Sequence, residues 1–410
     1  MISHTDEAMH LIDNNEDTMG RENGYTGIDR REFLKVGLAG TTSVLLGWEG
    51  LAEAMQIAAS DAFVFPVPVY RTLGRTGLKI TIVSFGAMLT PESEVMEIAF
   101  DHGVNYVDTA RRYMGGRNEE TVGRALKGRR DKVYVATKIA PASRSKDAIF
   151  KDVETSLRAL DTDYVDIIQL HNLTSRDDRI FNPEIRESLV RLKEQGKVRF
   201  FGVTSHTNEA EVLNALVDDK DRFFDTALVK YNFKSNQETK DAIARAARAN
   251  IGVIAMKTQA GGYTTDKLGP FSPHQAALKW VLQDKHVTAA IPGMRNISEF
   301  REDIAVMGMR FGSLDKLLLK RYGIAVAPHY CHLCGQCEAT CPNGVAISTI
   351  NRCLMYAEAY RSPVLAKSSY HEIPLSLSAS ACLDCSECVV KCVNGLDIPM
   401  KMRLARKLLA

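Results

Sequence analysis

From Val69 onward the chain alternates short apolar runs rich in β-branched residues with longer segments whose apolar residues recur every three or four positions. The first kind reads as strand and the second as a helix with one face on a core. Candidate strands are Ile82 to Phe85, Tyr106 to Thr109, Val133 to Thr137, Val165 to Leu170, Phe200 to Thr204, Ala227 to Lys230, Gly252 to Ala255 and Ala289 to Ile291. Helical spacing shows at Val153, Leu157 and Leu160, and again at Ile185, Leu189 and Leu192. A hairpin precedes the series, with Tyr70 to Leu73 and Leu78 to Thr81 flanking a Gly74-Arg75-Thr76-Gly77 turn.

Eight strands, each followed by a helix, predict an α/β fold of the (β/α)8 TIM-barrel kind, with an active site on the rim at the C-terminal strand ends. The last helix is expected to start at Asn296, where Glu299 would close a capping box. An open, doubly wound sheet is the rival. It would favour a glycine-rich turn after its first strand, and Gly86-Ala87-Met88 is not one.

Cysteine usage divides the 410-residue chain, because all nine cysteines lie at or beyond Cys331. Eight form two runs of C-x2-C-x2-C-x3-C spacing: Cys331, Cys334, Cys337 and Cys341, then Cys382, Cys385, Cys388 and Cys392. Each run presents three thiolates on one tight loop and sends a fourth to a neighbouring site, the ligation pattern of paired 4Fe-4S clusters. Crosswise ligation would join Cys331, Cys334 and Cys337 to Cys392, and Cys382, Cys385 and Cys388 to Cys341. Structural zinc usually wants two pairs with a longer spacer, and disulfides rarely need such crowding. Cys353 lies outside both runs and reads as a small buried apolar residue. We therefore expect a barrel over 69–310 and a small α-helical, ferredoxin-like domain with two 4Fe-4S clusters over 311–410.

The leader carries a further signal. Asp29-Arg30-Arg31-Glu32-Phe33-Leu34-Lys35 precedes an uncharged stretch from Val36 to Trp48 and then Ala52-Glu53-Ala54. This is similar to a twin-arginine export signal with a small-residue cleavage site. Residues 1–54 are thus expected to be a disordered, polar beginning and a signal peptide for the twin-arginine translocase. The protein would then be periplasmic or associated with the outer side of the membrane. A chain loaded with clusters in the cytosol would have to cross already folded, which is what that route does. The uncharged stretch is too short to span a bilayer comfortably, and no other segment reads as a span. With 52 basic against 50 acidic side chains, net charge +2, nothing global draws nucleic acid.

Polar residues at the strand ends supply candidate chemistry. Asp108 ends the second strand, Tyr113 follows in its loop, Lys138 ends the third and His171 ends the fourth. A phenol is a poor acid at neutral pH, and an adjacent ammonium would draw its pKa toward working pH. Lys138 is expected to do this for Tyr113, with Asp108 holding Lys138 and His171 aligning a substrate carbonyl.

Tyr106-Val107-Asp108-Thr109-Ala110, Tyr113, Val135-Ala136-Thr137-Lys138 and Gln169-Leu170-His171 resemble the Asp, Tyr, Lys and His tetrad of aldo-keto reductases, over about residues 69 to 310. The appended cysteine runs resemble the ferredoxin-containing branch of that family. The resemblance implies an oxidoreductase interconverting a carbonyl and an alcohol with NAD(P)H, Tyr113 acting as the acid. It places Thr204 and Ser205 at the nicotinamide carboxamide, Lys257 at the pyrophosphate, and Arg295 with the helix start at Asn296 at the adenosine end. Met256 stands where a stacking aromatic is common, and Gly293 and Glu299 stand where basic residues often grip a 2′-phosphate. A carboxylate there would repel that phosphate, so the unphosphorylated cofactor is at least as well served. Hydride moves two electrons and a cluster one, so a redox partner protein is expected if the clusters exchange electrons with the barrel. Two rival readings are an electron-transfer subunit with the barrel as docking scaffold, and clusters that are purely structural. Arg111, Arg112 and Arg117 hint at an anionic substrate against the plainer reading of surface ion pairs, and Thr258 to Pro270 is expected to be a mobile cover.

Overall fold

The computed structural model describes residues 63–174, 178–265, 272–385 and 387–410. The export signal read in residues 1–54 lies outside the described residues. Tyr70–Thr72 (β1) and Lys79–Thr81 (β2) pair as an antiparallel hairpin. Eight parallel strands follow: β3 Phe85–Gly86, β4 Tyr106–Asp108, β5 Tyr134–Ile139, β6 Val165–Leu173, β7 Val198–Ser205, β8 Thr226–Lys230, β9 Gly252–Met256 and β10 Ala289–Ala290. Their helices are α1 Ser93–Asp101, α2 Asn118–Leu126, α3 Lys146–Leu160, α4 Pro183–Glu194, α5 Glu209–Asp218, α6 Gln237–Arg248, α7 Pro273–Leu282 and α8 Ile297–Ile304.

Each strand pairs with the next, and bridges from Val83 to Ala290 and from Gly86 to Gly293 close the ring. The closure explains why the first strand is shorter than the run Ile82 to Phe85 suggests: its contacts with β10 are isolated bridges rather than a ladder. Gly86 is needed there, since a Cβ would sit 2.8 Å from Ile291 O and 2.9 Å from Pro292 O. Inside the ring Tyr106, Ala136, Ile167, Leu228 and Ile254 pack together, and the hairpin's Leu73, Leu78 and Ile80 plug its floor.

Local chemistry starts the helices. Ser145, Asn182, Asn236, Ser272 and Asn296 each accept a backbone N–H in the first turn that follows. The box expected at Asn296 is only half formed. Asn296 caps Glu299 N at 2.9 Å, but the Glu299 carboxylate reaches back to Arg295 N, one residue beyond the N-cap.

The remaining chain is helical. Ser313–Val326 (α9) lays Leu318 and Leu319 on Ala276 and Ala277 of α7. Ile347–Glu358 (α10), Pro363–Tyr370 (α11) and Ile398–Leu408 (α12) enclose their own core of Ile350, Leu354, Met402 and Ala405, with Cys353 fully buried among them. Ala260 and Tyr263, from the loop after β9, belong to that same core. The described part of the expected cover is therefore pinned: Tyr263 donates to His329 O at 3.2 Å, and Tyr322 donates to Gln259 O at 3.0 Å. Residues 266–270 of it lie outside the described residues. No helix among the described residues is long and apolar enough to cross a membrane.

Candidate active site

The C-terminal ends of β4, β5 and β6 bring the four candidate residues to one rim. Lys138 Nζ donates to Asp108 Oδ1 at 2.5 Å and to Thr109 O at 2.6 Å, while Gln169 Nε2 donates to Asp108 Oδ2 at 2.8 Å. Lys138 Nζ lies 4.8 Å from the centroid of the Tyr113 ring, and Tyr113 meets His171 edge to face with centroids 6.1 Å apart. The register of β6 against β7 shifts between Leu170 and Leu173, an irregularity of the kind that re-aims a side chain, here His171. Met114, Asn172 and Lys257 all hold left-handed backbone, at φ of 53°, 56° and 54°. Strain of this sort gathers at functional sites.

The electrostatics differ from the sequence expectation in one respect. Burial, then Asp108, raises the Tyr113 phenol well above its ordinary value, and Arg352 is the group that lowers it. Lys138 fails to draw it down because its ammonium sits over the ring face and is itself depressed by burial, with Asp108 opposing. Tyr113 therefore stays protonated. Burial, then Lys138, Arg352 and two further arginines, holds His171 well below 6.5, so its imidazole is neutral. His206, which sequence reasoning missed, is held neutral by burial and then by Lys257, and its Nδ1 is buried without a hydrogen-bond partner.

A cleft runs from Asp108 and Tyr113 past Lys257 to Gly293 and Arg295. Thr204 Oγ1 accepts from Asn172 N at 2.8 Å, and the single Ser205 O–H is shared between Leu173 O and Thr207 O at 2.9 and 2.7 Å; both residues are fully buried and outside the lining of the cleft. Burial, then Arg352 and Lys230, drives Lys257 well below its ordinary value, and its ammonium lies 4.9 Å from the Tyr356 ring centroid and 5.6 Å from that of Tyr360. An ammonium so desolvated invites an anion. Arg295 is already engaged, donating to Glu299 Oε1 at 2.6 Å and to Tyr360 O at 3.1 Å.

The second helical unit thus takes part in the site. Arg352, Tyr356 and Tyr360 follow one another at intervals of four, so α10 and its end present them as one stripe toward the barrel mouth. The three arginines singled out near the tetrad fare differently. Arg111 pairs with Glu119, Arg112 pairs with Glu372 at 2.7 Å, and Arg117 is exposed at the start of α2.

The cysteines form two groups. Burial raises Cys331 to about 12, and the neighbouring thiols acting on it are Cys337, Cys334 and Cys392. Burial raises Cys337 to about 11, with Cys334 and Cys392 again among its neighbours. Burial also raises Cys382, next to Cys341, Cys385 and Cys388. In both groups the fourth member comes from the other run. All nine thiols are unpaired, and no three His, Cys, Asp or Glu side chains among the described residues converge on a single metal-ion position. Asn343 Nδ2 donates to Cys385 Sγ at 3.3 Å, and a cavity lined by both Cys334 and His206 separates the first group from the rim.

Comparison with known proteins agrees with the barrel. Residues 90–271 match the aldo/keto reductase family. L-galactose dehydrogenase of Arabidopsis thaliana is 27% identical over 282 residues, covering 58% of this chain and 87% of that protein. An uncharacterised oxidoreductase of Bacillus subtilis is 28% identical over 311 residues, covering 61% of this chain and 94% of its own. The aldo/keto reductase of Klebsiella pneumoniae, solved with NADP and acetate, superposes with a TM-score of 0.53 at 26% identity over 62% of this chain and 95% of that one.

Proposed function

We propose that this chain, whose residues 90–271 match the aldo/keto reductase family, is an exported oxidoreductase interconverting a carbonyl and an alcohol at the rim formed by β4 to β6. The observation that carries the reading is the joint placement of Asp108, Lys138, Tyr113 and His171 around one opening. In the direction of reduction, the neutral His171 imidazole donates an N–H to the carbonyl oxygen and aligns it. Tyr113, protonated across the working range, gives its proton to that oxygen as a hydride adds to the carbonyl carbon. The C–H bond forms, the carbonyl π pair becomes the new O–H bond, and the charge left on the phenolate is balanced by Arg352.

Bound NAD(P)H would supply the hydride. Lys257 and Arg295 line the cleft and would face the pyrophosphate and the adenosine end, an anion restoring the charge that burial takes from Lys257, with the α8 start at Asn296 behind Arg295; Thr204 and Ser205, fully buried outside that lining, would meet the carboxamide only by shifting toward it. Glu299 already occupies Arg295, which favours the cofactor without a 2′-phosphate. The eight grouped thiols, with no imidazole among them, suit iron-sulfur ligation. Cys331, Cys334, Cys337 and Cys392 would hold one 4Fe-4S cluster and Cys382, Cys385, Cys388 and Cys341 the other, supplying one-electron exchange with a redox partner protein. The leader would deliver the folded protein through the twin-arginine translocase to the periplasm or the outer side of the membrane.

The test is turnover of carbonyl compounds and alcohols by the full chain, purified without oxygen, with either nicotinamide cofactor. Tyr113→Phe is expected to lower kcat by about 10²- to 10⁴-fold while leaving cofactor binding intact. Undiminished activity in that variant would remove Tyr113 as the acid.

A further inference from the structure

We propose that Arg352, delivered by α10 of the C-terminal unit, is the anion-binding residue of the substrate pocket, and that the substrate is a small carbonyl or hydroxy compound carrying a carboxylate. The inference rests on the carbonyl-alcohol reading of the rim and adds the substrate class to it. Arg352 shares a cavity of about 80 Å³ with Tyr113, His171 and His206. That volume admits roughly five to eight water-sized groups, room for a short oxo acid rather than a sugar chain.

Among the described residues the guanidinium has no ion pair, and its Nε is buried without a hydrogen-bond partner, a donor that is costly to leave unmatched. Its neighbours are all engaged: Arg112 with Glu372 at 2.7 Å, Arg111 with Glu119, and Arg179 with the carbonyls of His171 and Asn172 at 3.1 and 3.3 Å. Glu372 lines the same cavity and feels the charge of Arg352, but its Oε1 is paired with Arg112 at 2.7 Å and it makes no bond to Arg352.

The other walls lack the complement. Lys138 is paired with Asp108, and the two imidazoles that face the cavity are kept uncharged by burial first and then by nearby cations, Arg352 among them. A planar guanidinium fork beside a proton donor suits a molecule whose carboxylate lies a few atoms from its reacting carbon. The C-terminal unit would then read the substrate while the barrel performs the proton transfer.

The test compares wild type, Arg352→Met, Arg352→Lys and Tyr113→Phe as full chains purified without oxygen. Short 2-oxo acids are assayed against their methyl esters, and oxamate, an unreactive mimic of a 2-oxo acid, is titrated by calorimetry. Wild type is expected to favour acid over ester by about tenfold or more in kcat/KM. Arg352→Met, which also removes a charge that balances the Tyr113 phenolate, should lower turnover of both substrates but that of the acid by about tenfold more, and Arg352→Lys should restore part of the difference. Oxamate should bind wild type and Tyr113→Phe but not Arg352→Met. Equal loss on acid and ester in Arg352→Met, or a wild-type preference for ester, overturns the assignment and leaves the carbonyl reading standing. Oxamate binding that depends on Arg352, with no carbonyl turned over by wild type, keeps the anion site and sinks the carbonyl reading. Inorganic phosphate binding more tightly than oxamate overturns the choice of carboxylate.

Discussion

Lys138 and Asp108 form an ion pair of 2.5 Å with side chains only 1% and 3% exposed. Removing one partner strands the other. Lys138→Met is expected to destabilise the protein by about 3–5 kcal/mol, measured by denaturant unfolding. Adding Asp108→Leu should recover most of that loss, a coupling a double-mutant cycle will expose, while neither variant regains turnover.

The crosswise grouping of thiols, expected from their spacing, fixes which cysteines would share a cluster. For a chain holding about eight irons, Cys334→Ser and Cys392→Ser should deplete the same half, and combining them should cost no more than either alone. Cys334→Ser with Cys341→Ser should remove nearly all iron and sulfide, as read by chemical analysis of anaerobic protein.

His206 and His171 are both held well below 6.5 by burial and nearby cations. The unfolded chain therefore binds more protons than the folded one below that value, and stability rises with pH there. Their contribution is fully present above pH 6.5 and declines as pH falls toward the depressed folded values. Tm is expected to drop on acidification through this window, and His206→Asn should make the drop shallower.

Glu299 engages Arg295 through its carboxylate at 2.6 Å. Glu299→Ala frees that guanidinium. Selectivity for NADP over NAD, taken as the ratio of kcat/KM values, is expected to rise by about tenfold.

Much of this was legible from residue order. Seven of the eight strands overlie the apolar runs that placed them, because a strand buried on both faces has little choice but to be apolar, while the first shares only Phe85 with its run; Asp108, Lys138 and His171 were found by lying at or beside strand ends. Arg352, Tyr356 and Tyr360 escaped notice because nothing in their own segment announces them. A helix shows from its periodicity that it has a buried side, not which neighbour buries it. Arg111 and Arg112 follow the plainer ion-pair reading, with partners, Glu119 and Glu372, that come from other turns of the chain and could not be named from the arginines' own segment. The phenol's pKa was misjudged because proximity in a loop says nothing about whether an ammonium meets a hydroxyl or a ring face.

Helix α10 turns Ile350, Cys353 and Leu354 to its own core and Arg352 to the barrel mouth, with Tyr356 reaching both. Trimming the protein back to its barrel would not liberate a simpler enzyme. It would unroof the reaction chamber, and transplanting the thiol-bearing module onto another barrel would carry part of a foreign chamber with it. The two halves must be inherited, and altered, as a matched set.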